Sequence, residues 1–229
     1  MKNYGTLNGE YVLGIETAFS TVSVCLFDKR ADHPLELQEL SLVKGHAEVL
    51  PVCLAKTIAV IREQLVDLSE ICVSVGPGSF TGTRIGISAA KALGAVLKIP
   101  VHGVSTTAAF AAPHIGSGLP IASVIDVGNG KVYQECFDPC GASISKLKIF
   151  DFAEAIRNLP SREVILTGTG AEFLVREATI RGANVRLEGR SDSPGADQIV
   201  RASTFEKNEL PPRPLYFNTR YQVSVEGPI

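Results

Sequence analysis

The stretch from Val73 to Leu97, VSVGPGSFTGTRIGISAAKALGAVL, constrains the fold more than any other part of the chain. It begins with an apolar run, breaks at Gly76-Pro77-Gly78 and continues as a helical pattern without further proline. Because glycine adopts backbone angles that other residues avoid, whereas proline fixes its own, the break predicts a tight strand-to-helix turn. Ser79 or Thr81 is the candidate N-cap of the helix that follows.

The predicted helix is unusually thin. Glycine inside a helix costs about 1 kcal/mol relative to alanine, so its repeated use indicates that another backbone packs closely. The sequence leaves two packing partners open, the chain's own sheet and a second subunit, and the thinness favours some use between subunits. The small residues of the helix are Gly82, Gly86, Ala89, Ala90, Gly94 and Ala95.

A glycine turn that enters a helix can also bind phosphate, through its free amides and the helix dipole. Here the match to known phosphate loops is poor. There is no GxxxxGK[ST] motif, and Thr81 occupies the place of the third glycine of GxGxxG. A structural turn is therefore the preferred interpretation.

Composition limits the class of protein and its partners. The 229 residues, 45% of them apolar, suit one large domain or two small lobes. A net charge of −2 gives no basic patch, so we expect any RNA contact to be weak or supplied by a partner. The apolar runs are too short to span a membrane, and five cysteines without a CxxC pair predict reduced thiols and no zinc site in a cytoplasmic protein.

The order of predicted elements repeats once along the chain. The first half has strands at 11–16, 21–28, 35–43, 71–75 and 101–104, with helices at 46–65, 79–97 and 108–112. Pro51 would shift the start of the first helix towards Leu50. The second half has strands at 121–127, 131–137, 144–149 and 164–167, with helices at 152–158, 171–181 and 196–205. This duplication predicts an α/β protein of two similar lobes, 11–112 and 113–229, each with a mixed β-sheet flanked by helices, and an extended C-terminal tail.

Several stretches together resemble the TsaB (YeaZ) family. They are VLGIETAFSTVSVCLFD at 12–28, GHAEVLPVCLAK at 45–56 and VGPGSFTGTRIGISAAKALGAVLKIPVHGVSTTAAFA at 75–111, with weaker matches at 125–137, 166–170 and 214–222. Glu16 stands where the family usually has aspartate, and Gly128 where an arginine is common. The first departure weakens a phosphate–metal site near Thr17.

The resemblance implies an actin-like ASKHA fold and a role in making N6-threonylcarbamoyladenosine at position 37 of ANN-decoding tRNAs. In that role a TsaD-like subunit is the transferase, a TsaB-like protein is its noncatalytic partner, and a TsaE-like ATPase joins them. TsaB-like proteins also form homodimers through the helices that correspond to 46–65 and 79–97. No cofactor is expected to be required by this chain, while ATP or ADP has room at the partner interface.

The resemblance also indicates which chemistry is missing. The catalytic relative has a metal-binding HxxxH motif, and the matching positions here are Thr106 and Phe110. Neither side chain offers an imidazole, so we expect no catalytic and no metal-binding residues. His102 stands alone and is interpreted as a structural residue.

Two sets of site residues follow. We predict a subunit interface on the first and second long helices, and a vestigial nucleotide cleft where Glu16 and Asp126 end the first strand of each half. The interface set is His46, Leu50, Cys53, Leu54, Thr57, Gly82, Ile85, Gly86, Ala89, Ala90 and Leu93; the cleft set is Glu16, Thr17, Asp126, Gly168 and Gly170.

Two other functions stay open. A small ASKHA-type nucleotide-binding enzyme, an ATPase or kinase, would use Glu16 and Asp126 as paired carboxylates and the Gly168-Thr169-Gly170 turn as a cradle. A protease-like hydrolase is the least favoured reading, because no GxSxG motif surrounds Ser20, Ser79 or Ser105.

Overall fold

The described part of the chain folds into two mixed β-sheets of the same topology. The computed structural model describes residues 11–42, 44–64, 66–188, 192–205 and 210–215. The first sheet, in the order β3-β2-β1-β4-β5, contains β1 (Tyr11–Glu16), β2 (Thr21–Asp28), β3 (His33–Ser41), β4 (Leu68–Ser74) and β5 (Val101–Val104). The second, in the order β8-β7-β6-β9-β10, contains β6 (Ile121–Gly128), β7 (Lys131–Phe137), β8 (Lys148–Asp151), β9 (Val164–Thr167) and β10 (Val185–Leu187).

In both sheets the first three strands pair antiparallel and the last two join in parallel. The helices are α1 (His46–Gln64), α2 (Phe80–Leu97), α3 (Thr106–Ala111), α4 (Phe152–Arg157), α5 (Ala171–Ile180) and α6 (Ala196–Ser203). Each parallel strand needs a crossover, and a helix supplies it in both halves. The predicted two-lobed, actin-like α/β fold is confirmed.

The last helix of each half packs on the sheet of the other half. α3 contacts β6 and β7, whereas α6 contacts β1, β2 and β4, and the two helices also contact each other. One hydrophobic core therefore joins the halves, with Val12 and Phe27 of the first sheet and Ile121 of the second in the same cluster as Ile199. The division of the chain between residues 112 and 113 stays a prediction.

Two predicted strands need correction, and a third strand of the structure was not predicted. The strand expected at 35–43 is His33–Ser41, and the one expected at 144–149 is Lys148–Asp151. Both are edge strands with many half-buried or exposed residues, so their apolar alternation is weak. Strand β10 was not predictable, because a segment of three partly exposed residues is too short to show a period.

Helix α1 begins at His46 rather than near Leu50, so Pro51 lies inside the helix. The backbone amides of Glu48 and Val49 both donate to the carbonyl oxygen of Gly45, which closes the first turn ahead of the proline. The proline therefore removes one amide from an exposed second turn without preventing the helix from starting earlier.

The cysteines are free, and four of them are buried, as the composition predicted for reduced thiols. Burial raises the pKa of the Cys72 thiol to about 12 and raises the pKa of Cys136 as well. Such thiols stay protonated at neutral pH and behave as small apolar side chains. Cys140 differs from the other four because it is exposed.

The described part of the tail lies beside β5 and the end of β4, but it is not extended throughout as predicted. It bends at Pro212 and Arg213, where the Arg213 amide donates to the carbonyl oxygen of Pro211 at 2.7 Å. The backbone amide of Gly103 donates to the carbonyl oxygen of Leu210 at 2.8 Å, and the amide of Leu215 donates to the carbonyl oxygen of Val75 at 2.8 Å. A β-carbon at Gly103 would lie 2.8 Å from the carbonyl oxygen of Pro211, so glycine permits this approach. The predicted lead-in at residues 1–10 and the rest of the tail from 216 lie outside the described residues.

Ser79 is the N-cap of α2, as predicted, because its hydroxyl accepts a hydrogen bond from the amide of Gly82 at 3.1 Å. Ser79→Ala is expected to lower the free energy of unfolding by about 1 kcal/mol, measured by urea denaturation. Ser79→Asp keeps an acceptor at the same place and should cost less. An equal loss in both variants would show that the cap bond is not the cause.

Candidate interaction surface

The turn between β1 and β2, residues Thr17 to Ser20, connects the N-terminal ends of two long helices. The Thr17 hydroxyl donates to the carbonyl oxygen of Gly82 at 2.8 Å, and the amide of Ser79 donates to the carbonyl oxygen of Ala18 at 2.7 Å. On the other side, the Nε2 atom of His46 lies 2.7 Å from the carbonyl oxygen of Phe19, to which it can only donate. The β1–β2 turn therefore fixes how α1 and α2 approach each other.

Two small residues of α2, Gly82 and Gly86, face this turn. A β-carbon at Gly82 would overlap the carbonyl oxygen of Thr17, and one at Gly86 would overlap its hydroxyl. Ala90, one turn further on, is fully buried in the same core. The interpretation that helix thinness serves a second subunit is thus corrected for these residues, because the closely packed backbone belongs to the same chain.

An open groove lies between the outer faces of α1 and α2. Its volume is about 540 Å³, and its lining is mainly apolar. Phe80 at its edge is 60% exposed, and the guanidinium of Arg84 lies 3.7 Å from the centroid of the Phe80 ring. We call this feature the α1–α2 groove; it is lined by Ala47, Leu50, Pro51, Leu54, Phe80, Thr81, Arg84, Ile85, Ser88 and Ala89.

The predicted interface residues divide between the groove and the core. Ile85 and Ala89 line the groove and are half-buried; Leu50 and Leu54 also line it, although they are buried in the core. His46 and Leu93 are half-buried, whereas Cys53, Thr57, Gly82, Gly86 and Ala90 are buried inside the chain, where a partner's side chains would not reach them. That any of them contacts a subunit stays a prediction.

Sequence reasoning missed Phe80 and Arg84. The two are four residues apart, so they lie on one face of α2, and the ring is too exposed to belong to the core. A large apolar residue directly after the N-cap, followed by arginine one turn later, was the available signal.

The predicted cleft residues differ in exposure, although Asp126 and the Gly168–Gly170 turn are adjacent. Glu16 and Thr17 are fully buried at the end of β1, whereas Asp126 is exposed at the β6–β7 hairpin. One oxygen of Asp126 accepts from the amide of Gly128 at 2.8 Å, and its own amide donates to the Thr169 hydroxyl. The expectation that Glu16 and Asp126 face one cleft as a carboxylate pair is therefore wrong in its geometry, since one of them points into the core.

The Gly168–Gly170 turn packs against the end of β6. Gly168 has a φ of +95°, and a β-carbon there would lie 2.5 Å from the carbonyl oxygen of Val124. The amide of Gly170 donates to that same oxygen at 2.9 Å. Close packing of the chain on itself explains both glycines.

The carboxyl group of Glu16 is held in an unusual state. One oxygen accepts a hydrogen bond from the amide of Ala18, and the other has no partner among the described residues. Burial raises the pKa of this carboxyl to about 8, against the smaller opposing effects of the Ala18 amide and the Ser74 hydroxyl. Glu16 is therefore mostly neutral at pH 7, and a neutral carboxyl is a poor ligand for a cation.

The positions that match the HxxxH motif are also used in packing. The Thr106 hydroxyl donates to the carbonyl oxygen of Pro77 at 2.6 Å, and Phe110 is buried beside Phe19, with ring centroids 5.4 Å apart. His102 lies 3.3 Å from Glu70, consistent with a structural role. Across the described ranges, no three His, Cys, Asp or Glu residues cluster in a way that could hold a metal ion.

Fold and surface together define a class: a two-lobed, actin-like α/β protein with an open groove between its two longest helices. The family model described as "TsaD: tRNA N6-adenosine threonylcarbamoyltransferase" matches residues 41–161, just over half of the 229 residues. The chain belongs to this family.

Similar proteins agree with the resemblance seen in the sequence. The chain is 31% identical over 125 residues to the tRNA threonylcarbamoyladenosine biosynthesis protein TsaB of Escherichia coli, and 32% identical over 122 residues to that of Bacillus subtilis. Each match covers 53% of this chain and 52% of the relative. The chain thus spans about half the length of the curated relatives it matches, and the predicted TsaB (YeaZ) resemblance is confirmed.

A solved structure supports the fold. YeaZ from Pseudomonas aeruginosa superposes with a TM-score of 0.72 over 91% of this chain and 100% of that chain, at 21% identity. In the described part of this chain, no helix combines the length and apolar character that crossing a membrane requires.

Proposed function

We propose that this chain is a noncatalytic subunit of the complex that forms N6-threonylcarbamoyladenosine at position 37 of ANN-decoding tRNAs. It binds a TsaD-like transferase through the α1–α2 groove. The observation that carries the proposal is the groove itself, an open apolar surface between two long helices of a protein in this family. An exposed apolar patch of this kind is typical of a protein interface.

The residues of the cleft support a noncatalytic role. Thr106 and Phe110 stand where the metal-binding histidines of the transferase would be, and both are engaged in packing. Glu16 is buried and mostly neutral, so it does not offer the charged carboxylate that a metal–nucleotide complex needs. The subunit would act by binding one conformation of its partner preferentially.

The remaining partners follow from the same proposal. A TsaE-like ATPase joins the complex, tRNA is contacted only through it, and the isolated chain pairs with a second copy. The chain needs no cofactor of its own, ATP or ADP is accommodated at the partner interface, and the complex works in the cytoplasm.

The direct test is size-exclusion chromatography with light scattering, on the chain alone and mixed with the TsaD-like subunit of the same genome. A stable heterodimer, or a homodimer that gives way to one, supports the proposal. A monomer that ignores the partner contradicts it.

Ala89→Arg is expected to weaken partner binding by about thirtyfold or more, equivalent to ~2 kcal/mol, because it places a charge in the α1–α2 groove. Ala95→Arg, on an exposed part of the same helix outside the groove, is the matched control and should bind normally. Titration calorimetry gives both affinities, and circular dichroism checks the fold. Equal loss in both variants, or none in either, would contradict a role for the groove.

A further inference from the structure

The fully buried carboxyl group of Glu16 lies at the base of the β1–β2 turn that positions both walls of the α1–α2 groove. One carboxyl oxygen accepts a hydrogen bond from the amide of Ala18. The carbonyl oxygen of Ala18 accepts one from the amide of Ser79, at the start of α2. The carbonyl oxygen of the next residue, Phe19, accepts a hydrogen bond from the ring of His46, at the start of α1. A change at Glu16 can therefore reach both helices through a single short turn.

The second oxygen of Glu16 bears on which form of the carboxyl fits. It is buried and has no hydrogen-bond partner among the described residues, and the Ser74 hydroxyl nearby is also without one. The Ser74 hydroxyl can accept a proton from the acid or donate one to the carboxylate, so it does not choose between the two forms. Full burial of the carboxyl among uncharged groups does, because a buried charge is costly. The folded turn thus suits the acid and penalises the carboxylate.

The surroundings supply no positive charge to offset ionisation. The groups that act on the carboxyl are the amides of Thr17 and Ala18 and the hydroxyl of Ser74, all uncharged. Ser23 of β2, opposite Glu16, instead directs its hydroxyl to Glu39 of β3 at 3.2 Å. On the buried face of α2 the neighbours are Gly82, Thr83 and Gly86. Two titratable side chains approach this region through an intervening residue: Glu39 through Ser23 and His46 through Phe19.

We propose that Glu16 is a positioning residue for the α1–α2 groove, and that it holds the β1–β2 turn in the binding conformation only while its carboxyl carries a proton. The inference rests on the proposed function of the groove and adds its regulation. The Ala18 amide bonds a carboxylate more strongly than an acid, but the uncompensated buried charge outweighs this gain and favours an opened turn that hydrates it. In the opened turn α1 and α2 lose their common support. Partner binding is favoured at acidic to neutral pH and declines at mildly alkaline pH.

The test compares wild type with Glu16→Gln, which keeps the shape and the acceptor oxygen but cannot ionise. Calorimetry with the TsaD-like subunit is done at about pH 6.5 and about pH 8.5, and the ratio of the two dissociation constants is taken at each pH, so that titration of the partner cancels. We expect the ratio to be within about twofold at the lower pH and the wild type to bind about fourfold more weakly at the higher one, because about a quarter of the Glu16 carboxyl keeps its proton there. A ratio that does not change with pH overturns the proposal, because a merely structural role would give that result.

Hydrogen exchange on the chain alone provides an arm that does not depend on the partner. The amides of Ala18, Ser79 and Gly82 should lose protection at about pH 8.5 in wild type, after correction for intrinsic exchange, and keep it in Glu16→Gln. Equal protection in both proteins overturns the proposal. If neither protein binds the TsaD-like subunit at either pH, the proposed function fails, and the exchange result alone decides the role of Glu16.

Discussion

Glu16→Gln is expected to remove the loss of stability that ionisation of Glu16 causes between about pH 4.5 and pH 8. The folded chain holds the Glu16 proton up to about pH 8, whereas the unfolded chain releases it near the ordinary value of 4.5. Unfolding therefore releases a proton throughout this window, and the contribution of Glu16 to stability is fully present below pH 4.5 and lost as the pH rises to 8. Over the window, the stability of the variant relative to wild type should rise by about 5 kcal/mol.

Urea unfolding followed by circular dichroism, at several values between about pH 5 and about pH 8.5, measures this difference. The neutral amide keeps the shape of the side chain, so the two proteins should be most alike near the acidic end. Glu63→Gln, at an exposed position on α1, is the matched control and should follow wild type at every pH. Parallel curves for wild type and Glu16→Gln would show that the carboxyl does not titrate with folding.

Gly82→Ala is expected to destabilise the protein by about 3 kcal/mol or more, although alanine is the better helix former by about 1 kcal/mol. The added β-carbon would overlap the carbonyl oxygen of Thr17, and a backbone atom at the end of a central strand has little room to move. Because Gly82 also accepts the hydrogen bond from the Thr17 hydroxyl, a shift of α2 would strain that bond as well.

The matched control for Gly82→Ala is Lys91→Ala, which introduces the same residue on an exposed part of the same helix. It should change the free energy of unfolding by about 0.5 kcal/mol or less. Thermal or urea unfolding compares the two. A stabilised Gly82→Ala would mean that helix propensity outweighs the contact with Thr17, and that the small residues of α2 are free to face a partner.

Helix α2 has features that follow from its local sequence and features that do not. Its N-cap at Ser79 and its extent to Leu97 were predictable, because both are set by local features: a glycine–proline break, a hydroxyl acceptor and an uninterrupted helical period. The reason for its glycines was not. A glycine signals only that something packs closely, and whether that is Thr17 or another subunit depends on residues distant in sequence.

The α1–α2 groove was predicted only in part, because which side of a helix stays exposed also depends on residues distant in sequence. The period of α1 and α2 identified an apolar stripe, but a stripe can face the core, a partner or both. The structure buries Cys53 and Thr57 and leaves Ile85 and Ala89 at the α1–α2 groove. Phe80 was overlooked because a single exposed aromatic residue at a helix start has no periodic signature.

The sequence by itself determined the duplicated order of strands and helices, the start of α2 at Ser79 or Thr81 and the family, since these follow from local chemistry and from contiguous motifs. Only the tertiary structure decided that α3 and α6 each pack on the sheet of the other half of the chain. It also decided that Glu16 is buried while Asp126 is exposed, and that an open groove separates α1 from α2. Each of these depends on which distant segments exclude water from a given side chain. Burial is a property of the assembled core, and it sets both the proton affinity of Glu16 and the surface left for a partner.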